Sequence, residues 1–305
     1  MKEVGDTGRE SGDPDEGREG RRGGLPNLPC ILLTNAHSIG NKLEDLRNRI
    51  RNDEEFQRCD LIFITETWVK KEHIENNKAV INVEGYEEKH FPRDTDRTKK
   101  KKGGGLGVLI KNGGELTKRD EKQTPCYQLV AFSYEARNQP PLYFILVYIQ
   151  KEGKNKKNGN WEITKQGIEQ SYRKGLNNGG PVFILGDFNW YKGFDNNDTF
   201  HQYVTCRTRK NNNWNGRTEY TTLDKCYGNV PEAYSSQCRP PLRSRKTESD
   251  HCITLLTPEH TTCTHDKWWL TSRRNLTSSQ VLVKAVTTRT SLLLLLPLLR
   301  LVRVL

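Results

Sequence analysis

Short apolar runs that stop abruptly on polar side chains constrain this chain more than any other feature. "CILLTN" from Cys30, "DLIFITETW" from Asp60, "GGGLGVLIKNG" from Gly103, "YQLVAFSY" from Tyr127, "LYFILVYIQ" from Leu142, "VFILGDFN" from Val182 and "ESDHCITLL" from Glu248 are short, rich in β-formers and bounded by turn residues. The apolar run "VFIL" closed by glycine reads as a buried strand. Between these runs, "NKLEDLRNRI" places Leu43, Leu46 and Ile50 at helical spacing behind Asn41 as an N-cap. "WEITKQGIEQSYRKGL" sets Ile163, Ile168 and Tyr172 on one side of a second helix that ends at "NNGGP". Strands interleaved with helices, with no internal repeat, predict an α/β fold.

The polar residues stand where the strands stop. Asn35 follows "ILLT", Glu66 follows "LIFIT", Tyr148 comes late in "LYFILVY", and Asp187 and Asn189 follow "FILG". Asp224 lies in "TLDKC", and Asp250 and His251 immediately precede "CITLL". Strand ends can converge on one rim of a sheet, and there these residues would combine carboxylates for a hard divalent cation, amides for phosphate oxygens and one imidazole. Taken singly, each is equally a turn former, a helix cap or a hydrogen-bonded interior histidine. Alternation along an extended strand predicts Asp187 and Asn189 on the same side, with Phe188 turned into the packing.

The ends of the chain look different from its middle. Residues 1–24 carry five basic and seven acidic side chains and almost nothing that could form a core, so the segment 1–26 reads as a disordered charged tail. The segment 259–305 reads as a poorly ordered basic and leucine-rich tail. Its apolar stretch from Leu292 to Leu299, broken by Pro297, is too short for a spanning helix and reads either as an interfacial helix or as a tail with no partner. Hydrophobic residues make up only 33% of the chain, which fits a folded middle, 27–258, flanked by solvated ends. Of the net charge of +11, residues 1–24 contribute −2 and residues 271–305 contribute +6, which leaves +7 on the middle. A basic domain favours polyanionic partners such as nucleic acid. No secretory signal opens the chain and no stable membrane association is expected; the reading is intracellular, nuclear or cytoplasmic.

The eight cysteines contain no C-x-x-C pair, so neither a zinc module nor thiol catalysis has support. Several lie in strand-like contexts where free cysteine is a small buried hydrophobe, which fits a reducing compartment.

In order, "TNAHSIGNKLEDLR", "DLIFITETW", "GGGLGVLI", "VYI", "GDFN", "LDKCY" and "SDHCITLL" resemble the exonuclease-endonuclease-phosphatase superfamily. Within it, they resemble the apurinic-like endonuclease domain of LINE-type non-LTR retrotransposons. The resemblance implies a four-layered α/β sandwich, two mostly antiparallel sheets packed face to face with flanking helices, and a site at one end. It implies a Mg²⁺-dependent phosphodiester hydrolase, with Mn²⁺ a possible substitute, that nicks DNA and grips its backbone. Glu66 would be the principal metal ligand, with Asn35 and Asp250 near the metal. Asp187 would orient or deprotonate the attacking water, and Asn189 would hold that water or a phosphate oxygen. His251, oriented by Asp224, would neutralise the phosphate, and Tyr148 would give a phenol to the phosphate or leaving oxygen. Such residue types suit a reaction that adds negative charge to phosphoryl oxygens while a water loses a proton.

Three departures qualify the resemblance. Relatives carry proline after "VYI", whereas here "YIQKEGKNKKNGN" is polar and basic. His37 stands where relatives place an acid or arginine, and reads as a phosphate contact or as structural filler. The cluster "TDRTKKKKGGG" reads as a DNA-backbone grip or as a solvated hairpin tip. The retrotransposon relatives continue into a reverse transcriptase for which no room follows Pro258, so a truncated element copy or a partial gene model is expected. A phosphatase or phospholipase-type phosphoesterase, and an inactive nucleic-acid-binding remnant, are the other readings of the same residues.

Overall fold

The computed structural model describes residues 27–259 except 76–79, 101, 137–140, 152–158, 190, 192, 196–198 and 213–217. The tail expected over 1–26 and, apart from Glu259, that over 259–305 lie outside the described residues.

In chain order the elements begin with β1 (Ile31–Asn35), a 3₁₀ turn (Gly40–Lys42), α1 (Leu43–Asn52), α2 (Glu54–Gln57), β2 (Leu61–Thr65) and α3 (Lys71–Glu75). Next come β3 (Tyr86–Phe91), α4 (Thr95–Thr98), β4 (Leu106–Lys111), β5 (Gly114–Gln123), β6 (Tyr127–Ala136), β7 (Leu142–Ile149) and α5 (Gly159–Asn177). The remainder is β8 (Val182–Asp187), β9 (His201–Gln202), β10 (Arg209–Asn212), β11 (Thr218–Thr221), β12 (Asp224–Gly228), β13 (Tyr234–Arg239) and β14 (Ile253–Pro258). One six-stranded sheet runs β13-β14-β1-β2-β4-β3 and the other β5-β6-β7-β8-β12-β9, while β10 and β11 form a separate hairpin. Within the two sheets only β1–β2 and β7–β8 pair in parallel, so both are mostly antiparallel.

The continuous apolar runs follow from burial on both faces. Along β1, Ile31 and Leu33 point into the space between the sheets, where they join Phe63, Phe144, Phe183 and Leu185. Leu32, between them, points the other way and packs with Leu46 and Ile50 of α1 and Phe56 of α2. On the far side of the second sheet, Leu129, Ile145 and Ile184 pack with Ile168 and Tyr172 of α5. Helix, sheet, sheet and helix thus make the four layers of an α/β sandwich. Each fully buried Leu, Ile or Phe in them contributes about 1.5–3 kcal/mol of transfer free energy.

Local expectations failed in three places. Asn41 does not cap α1; it lies inside the 3₁₀ turn, and the N-cap position is Lys42 with no side-chain cap bond. Ile163 of α5 is 51% exposed, because the buried stripe of the helix runs through Thr164, Gly167, Ile168, Ser171, Tyr172 and Gly175 and leaves Ile163 outside it. Cys206 and Cys238 form a disulfide that ties the segment after β9 to β13, an exception to the reading of free thiols, whereas Cys59, Cys126 and Cys226 are buried thiols as expected. Their separation of 32 residues gave no spacing signal, and only the fold brings the Cα atoms to 5.9 Å.

Candidate active site

Topology gathers the strand-end residues on one rim. Parallel neighbours finish there, so Asn35 at the end of β1 pairs in register with Thr65, one residue before Glu66, and Tyr148 on β7 pairs with Asp187 at the end of β8. Antiparallel neighbours start there, so Asp224 opens β12 opposite Asp187, and His251 stands just before β14, the partner of β1. No two of these strands needed to be adjacent in the chain; the connections between them do the bringing together.

One half of the site is closed. Asp187, Asn189, Asp224 and His251 are 1%, 7%, 1% and 3% exposed. Asp187 Oδ1 accepts the Asn189 backbone N–H at 2.8 Å, and Oδ2 accepts from Asn35 Nδ2 at 2.8 Å and Asn189 Nδ2 at 3.2 Å. Asn189 also donates to the Ile149 carbonyl at 2.6 Å. The meeting of Asp187 and Asn189 does not come from strand alternation. β8 ends at Asp187, and Asn189 adopts a left-handed φ of 49° that folds its amide back onto the carboxylate, while Phe188 goes into the core as expected. Gly186 is required just before this turn: at φ 143°, a Cβ would lie 1.8 Å from the Val147 carbonyl oxygen of the neighbouring strand.

His251 Nδ1 lies 2.7 Å from Asp224 Oδ2, and the Asp224 carboxylate keeps its second oxygen, Oδ1, buried without a partner. Burial works against a charged imidazole, but the Asp224 and Asp187 carboxylates outweigh it and raise His251 to about 9. Burial, followed by the nearby Asp224 charge and against the pull of His251, pushes Asp187 up to about 7. The closed half therefore holds an imidazolium, and a carboxyl that changes protonation near neutrality.

The other half is open. Glu66 is half-buried at φ 51°, and its Oε1 accepts from the Tyr148 hydroxyl at 2.7 Å and, more weakly, from Asn35 Nδ2 at 3.4 Å. Its Oε2 accepts from Trp68 Nε1 at 3.2 Å. Burial, then the Glu66 charge, raises the Tyr148 phenol far above the usual tyrosine range, so it acts here as a proton donor to the carboxylate. Asp250, 37% exposed, pairs with Arg209 Nη2 at 2.6 Å and lies 3.7 Å from His37 Nδ1 and 4.0 Å from His251 Nε2. Burial opposes ionisation of Asp250, but His251 and Arg209 hold its carboxyl below the usual range.

Every residue expected at the site is on this rim, but Asn35 presents a different atom from the one a metal ligand needs. Its Oδ1 accepts the His37 backbone N–H at 2.9 Å, which fixes the amide so that NH₂ faces Glu66 and Asp187. Asn35 thus bridges the two halves as a donor. His37, 51% exposed, packs edge-on against Trp68 at 5.2 Å. Three residues were missed. Lys42, 3% exposed, donates to the His37 and Ser38 carbonyls and holds their left-handed turn; Arg209 neutralises Asp250; and the Arg93 guanidinium lies 5.8 Å from the Tyr148 ring. Lys42 follows Asn41 in a helix start, and Arg209 and Arg93 sit in polar segments, so no local pattern singles them out.

The donor chemistry fits a hard divalent cation at Glu66. Its carboxylate is oriented by three donors yet open on one side, and Asp250 is the other carboxylate on the open part of the rim. Asp187, Asp224 and His251 also bring ligand atoms within 4.8 Å of one another, but His251 Nδ1 and Asp224 Oδ2 already engage each other at 2.7 Å and Asp187 Oδ2 accepts from Asn35 and Asn189, whereas Glu66 is the more open carboxylate.

A profile of the Endonuclease/Exonuclease/phosphatase family matches residues 32–251. A search of curated protein sequences finds no match. Among solved structures, Caenorhabditis elegans TDP2 superposes with a TM-score of 0.55 at 12% identity, covering 76% of this chain and 74% of that one. The catalytic domain of Xenopus laevis APE2 gives 0.52 at 15% identity, with 77% and 94% covered. The endonuclease domain of TRAS1, a telomere-specific non-LTR retrotransposon, gives 0.50 at 12% identity, with 77% and 100% covered.

Proposed function

The chain belongs to the Endonuclease/Exonuclease/phosphatase family, and from that premise we propose that it is a divalent-metal-dependent phosphodiester hydrolase that nicks DNA, as a non-LTR retrotransposon endonuclease would. The observation that carries the reading is the 2.8 Å hydrogen bond from Asn35 to Asp187, across 152 residues of chain, which joins the carboxylate suited to a metal to the carboxyl suited to a water.

In this reading Asp187 accepts a proton from, or orients, the attacking water, and its value near 7 matches that task at neutral pH. Asn189 fixes the water or a phosphate oxygen. His251 enters as the imidazolium, donating to a non-bridging phosphate oxygen as negative charge builds there, and Asp224 holds its tautomer and charge. Tyr148 orients Glu66 with its one O–H, and would offer that phenol to the phosphate or leaving oxygen only by exchanging this bond. Glu66, with Asp250 nearby, would hold Mg²⁺ or Mn²⁺, which supplies charge neutralisation at the phosphate and the departing oxygen. The net charge of +7 on the middle of the chain favours a phosphate-rich partner. Among the described residues no helix is long and apolar enough to cross a membrane.

The test is conversion of supercoiled plasmid to nicked circles with Mg²⁺, for wild type, Asp187→Ala and His251→Ala, beside inositol-phosphate and sphingomyelin hydrolysis. Nicking by wild type that falls at least roughly 10²-fold in both variants supports the reading. Undiminished nicking in the variants overturns the site. Hydrolysis of the inositol or lipid substrate without nicking overturns the substrate class.

A further inference from the structure

Beside Glu66 the rim opens into a groove of about 960 Å³ that the proposed chemistry does not use. Trp68, a large aromatic side chain that is 40% exposed, lines it. The indole is not loose: Nε1 donates to Glu66 Oε2, the backbone N–H donates to the Gly104 carbonyl at 2.9 Å, and φ is 56°. A left-handed tryptophan anchored to a metal-type carboxylate, with its ring toward solvent, is costly in conformation and in apolar exposure.

A guanidinium stands beside the ring. Arg93 Nη1 and Trp68 Nε1 both lie 3.6 Å from where a Cβ on Gly103 would be. Gly104, at φ 76°, lets Arg93 lie across the main chain, because a Cβ there would come within 2.2 Å of the guanidinium. Arg93 donates from Nη1 to the Lys102 carbonyl at 2.7 Å, its guanidinium lies 5.8 Å from the Tyr148 ring, and no carboxylate among the described residues forms an ion pair with it. Lys71 and Lys102 line the same groove and have no ion-pair partner among the described residues. Three of the groove's four acids are already compensated, Asp94 by Arg97 at 3.4 Å, Glu121 by Lys118 at 2.9 Å and Glu72 by Lys70 at 3.1 Å, and Asp96 is the fourth.

A partly exposed indole, packed edge-on by His37 and neighboured by cations without an ion pair among the described residues, one side chain away from the carboxylate suited to the metal, is a combination that takes a nucleobase and its phosphate. We propose that the groove is a nucleotide subsite: Trp68 stacks on the base flanking the scissile phosphate, and Arg93 with Lys102 takes the next phosphate. This rests on the phosphodiesterase reading and specifies its substrate. A base inside a duplex cannot offer its face to an indole, so the subsite selects an unpaired nucleotide at that position.

Binding tests this without turnover. The full chain carrying Asp187→Asn is titrated, in EDTA, against a fluorescein-labelled single-stranded 12-mer and the same sequence as a duplex, with Trp68 intact, changed to Phe or changed to Ala. Trp68→Ala is expected to weaken single-strand binding about ten-fold and Trp68→Phe far less, with duplex binding unmoved, as loss of one base stack predicts. An abasic scan through the 12-mer with Trp68 intact should reproduce that loss at one position and add nothing further in Trp68→Ala. Equal binding of all three proteins, equal losses for single strand and duplex, or an abasic scan flat with Trp68 intact would each overturn the subsite. A protein that binds in this way yet fails to hydrolyse plasmid would overturn the activity and leave the subsite standing.

Discussion

The two halves of the rim solve different physical problems with nearly the same residue types. Around Asp187 and His251 the side chains are almost wholly buried and hydrogen-bonded to their neighbours, so their proton affinities move far from ordinary values. Around Glu66 and Asp250 the carboxylates are half exposed and held by donors from one side only, Tyr148, Trp68 and Asn35 for the first and Arg209 for the second. Burial adjusts protons, and in the proposed reaction openness would admit a cation and a substrate. Asn35 is the hinge between the two, since it donates to both acids and takes a backbone N–H of the His37 turn. A carboxylate's neighbours, more than its identity, therefore assign it to proton transfer or to metal holding.

The largest expected effect lies inside the closed half. Asp224→Asn keeps the shape of the dyad but removes the charge that keeps His251 protonated. Turnover measured at pH 7.5 should fall by roughly 10²–10⁴-fold, with binding of nucleic acid changed little. A loss below about three-fold would mean that the imidazolium is not needed.

Next in size is the response of stability to alkali. His251 has a folded-state value of about 9 against an ordinary 6.5, and Asp187 about 7 against 3.8, so the folded state binds these protons more tightly than the unfolded chain. The stability from His251 is complete below about pH 6.5 and disappears as pH rises through 9, a change on the order of 3 kcal/mol. Urea midpoints between pH 6 and 9.5 should fall for wild type and flatten for Asp224→Asn. The opposite sign holds away from the rim. Burial alone would raise Glu88, but His90 and the backbone N–H groups of Asn82, Ile81 and Val80 outweigh it and lower Glu88 to about 2. Its stabilisation is present above about pH 4.5 and is lost as pH falls toward 2, so Glu88→Gln should flatten the acid limb only.

Smaller effects sharpen the open half. Tyr148→Phe removes one donor to Glu66 and should lower turnover about ten-fold while nearly sparing stability, because the ring still fills its place between the sheets. His37→Ala, at an exposed position, should change turnover by less than about three-fold.

The sequence showed the centre of each sheet and hid the edges. β1, β2, β7 and β8 are buried on both faces and therefore read as unbroken apolar runs. The strands that escaped notice include all four sheet edges, β13, β3, β5 and β9, where sequences such as "YEEKHF" and "GELTKRDEKQ" keep one face polar and resist further pairing. The hairpin of β10 and β11 is polar for the same reason. The rim was legible because each acid or amide interrupts an apolar run. Arg93, Lys42 and Arg209 interrupt nothing, and their roles arise only when distant segments meet. Asn35 was found in the right place, but the hydrogen bond that turns its NH₂ toward the acids belongs to the fold.

The division of labour between the halves is tested most directly by a Mg²⁺ titration of the plasmid-nicking rate in wild type, Asp187→Asn and Glu66→Gln. Asp187→Asn should lower the maximal rate roughly 10³-fold at an unchanged half-saturating Mg²⁺ concentration, and Glu66→Gln should raise that concentration at least about ten-fold. A raised Mg²⁺ requirement in Asp187→Asn, with Glu66→Gln saturating as wild type does, would reverse the assignment and contradict the account.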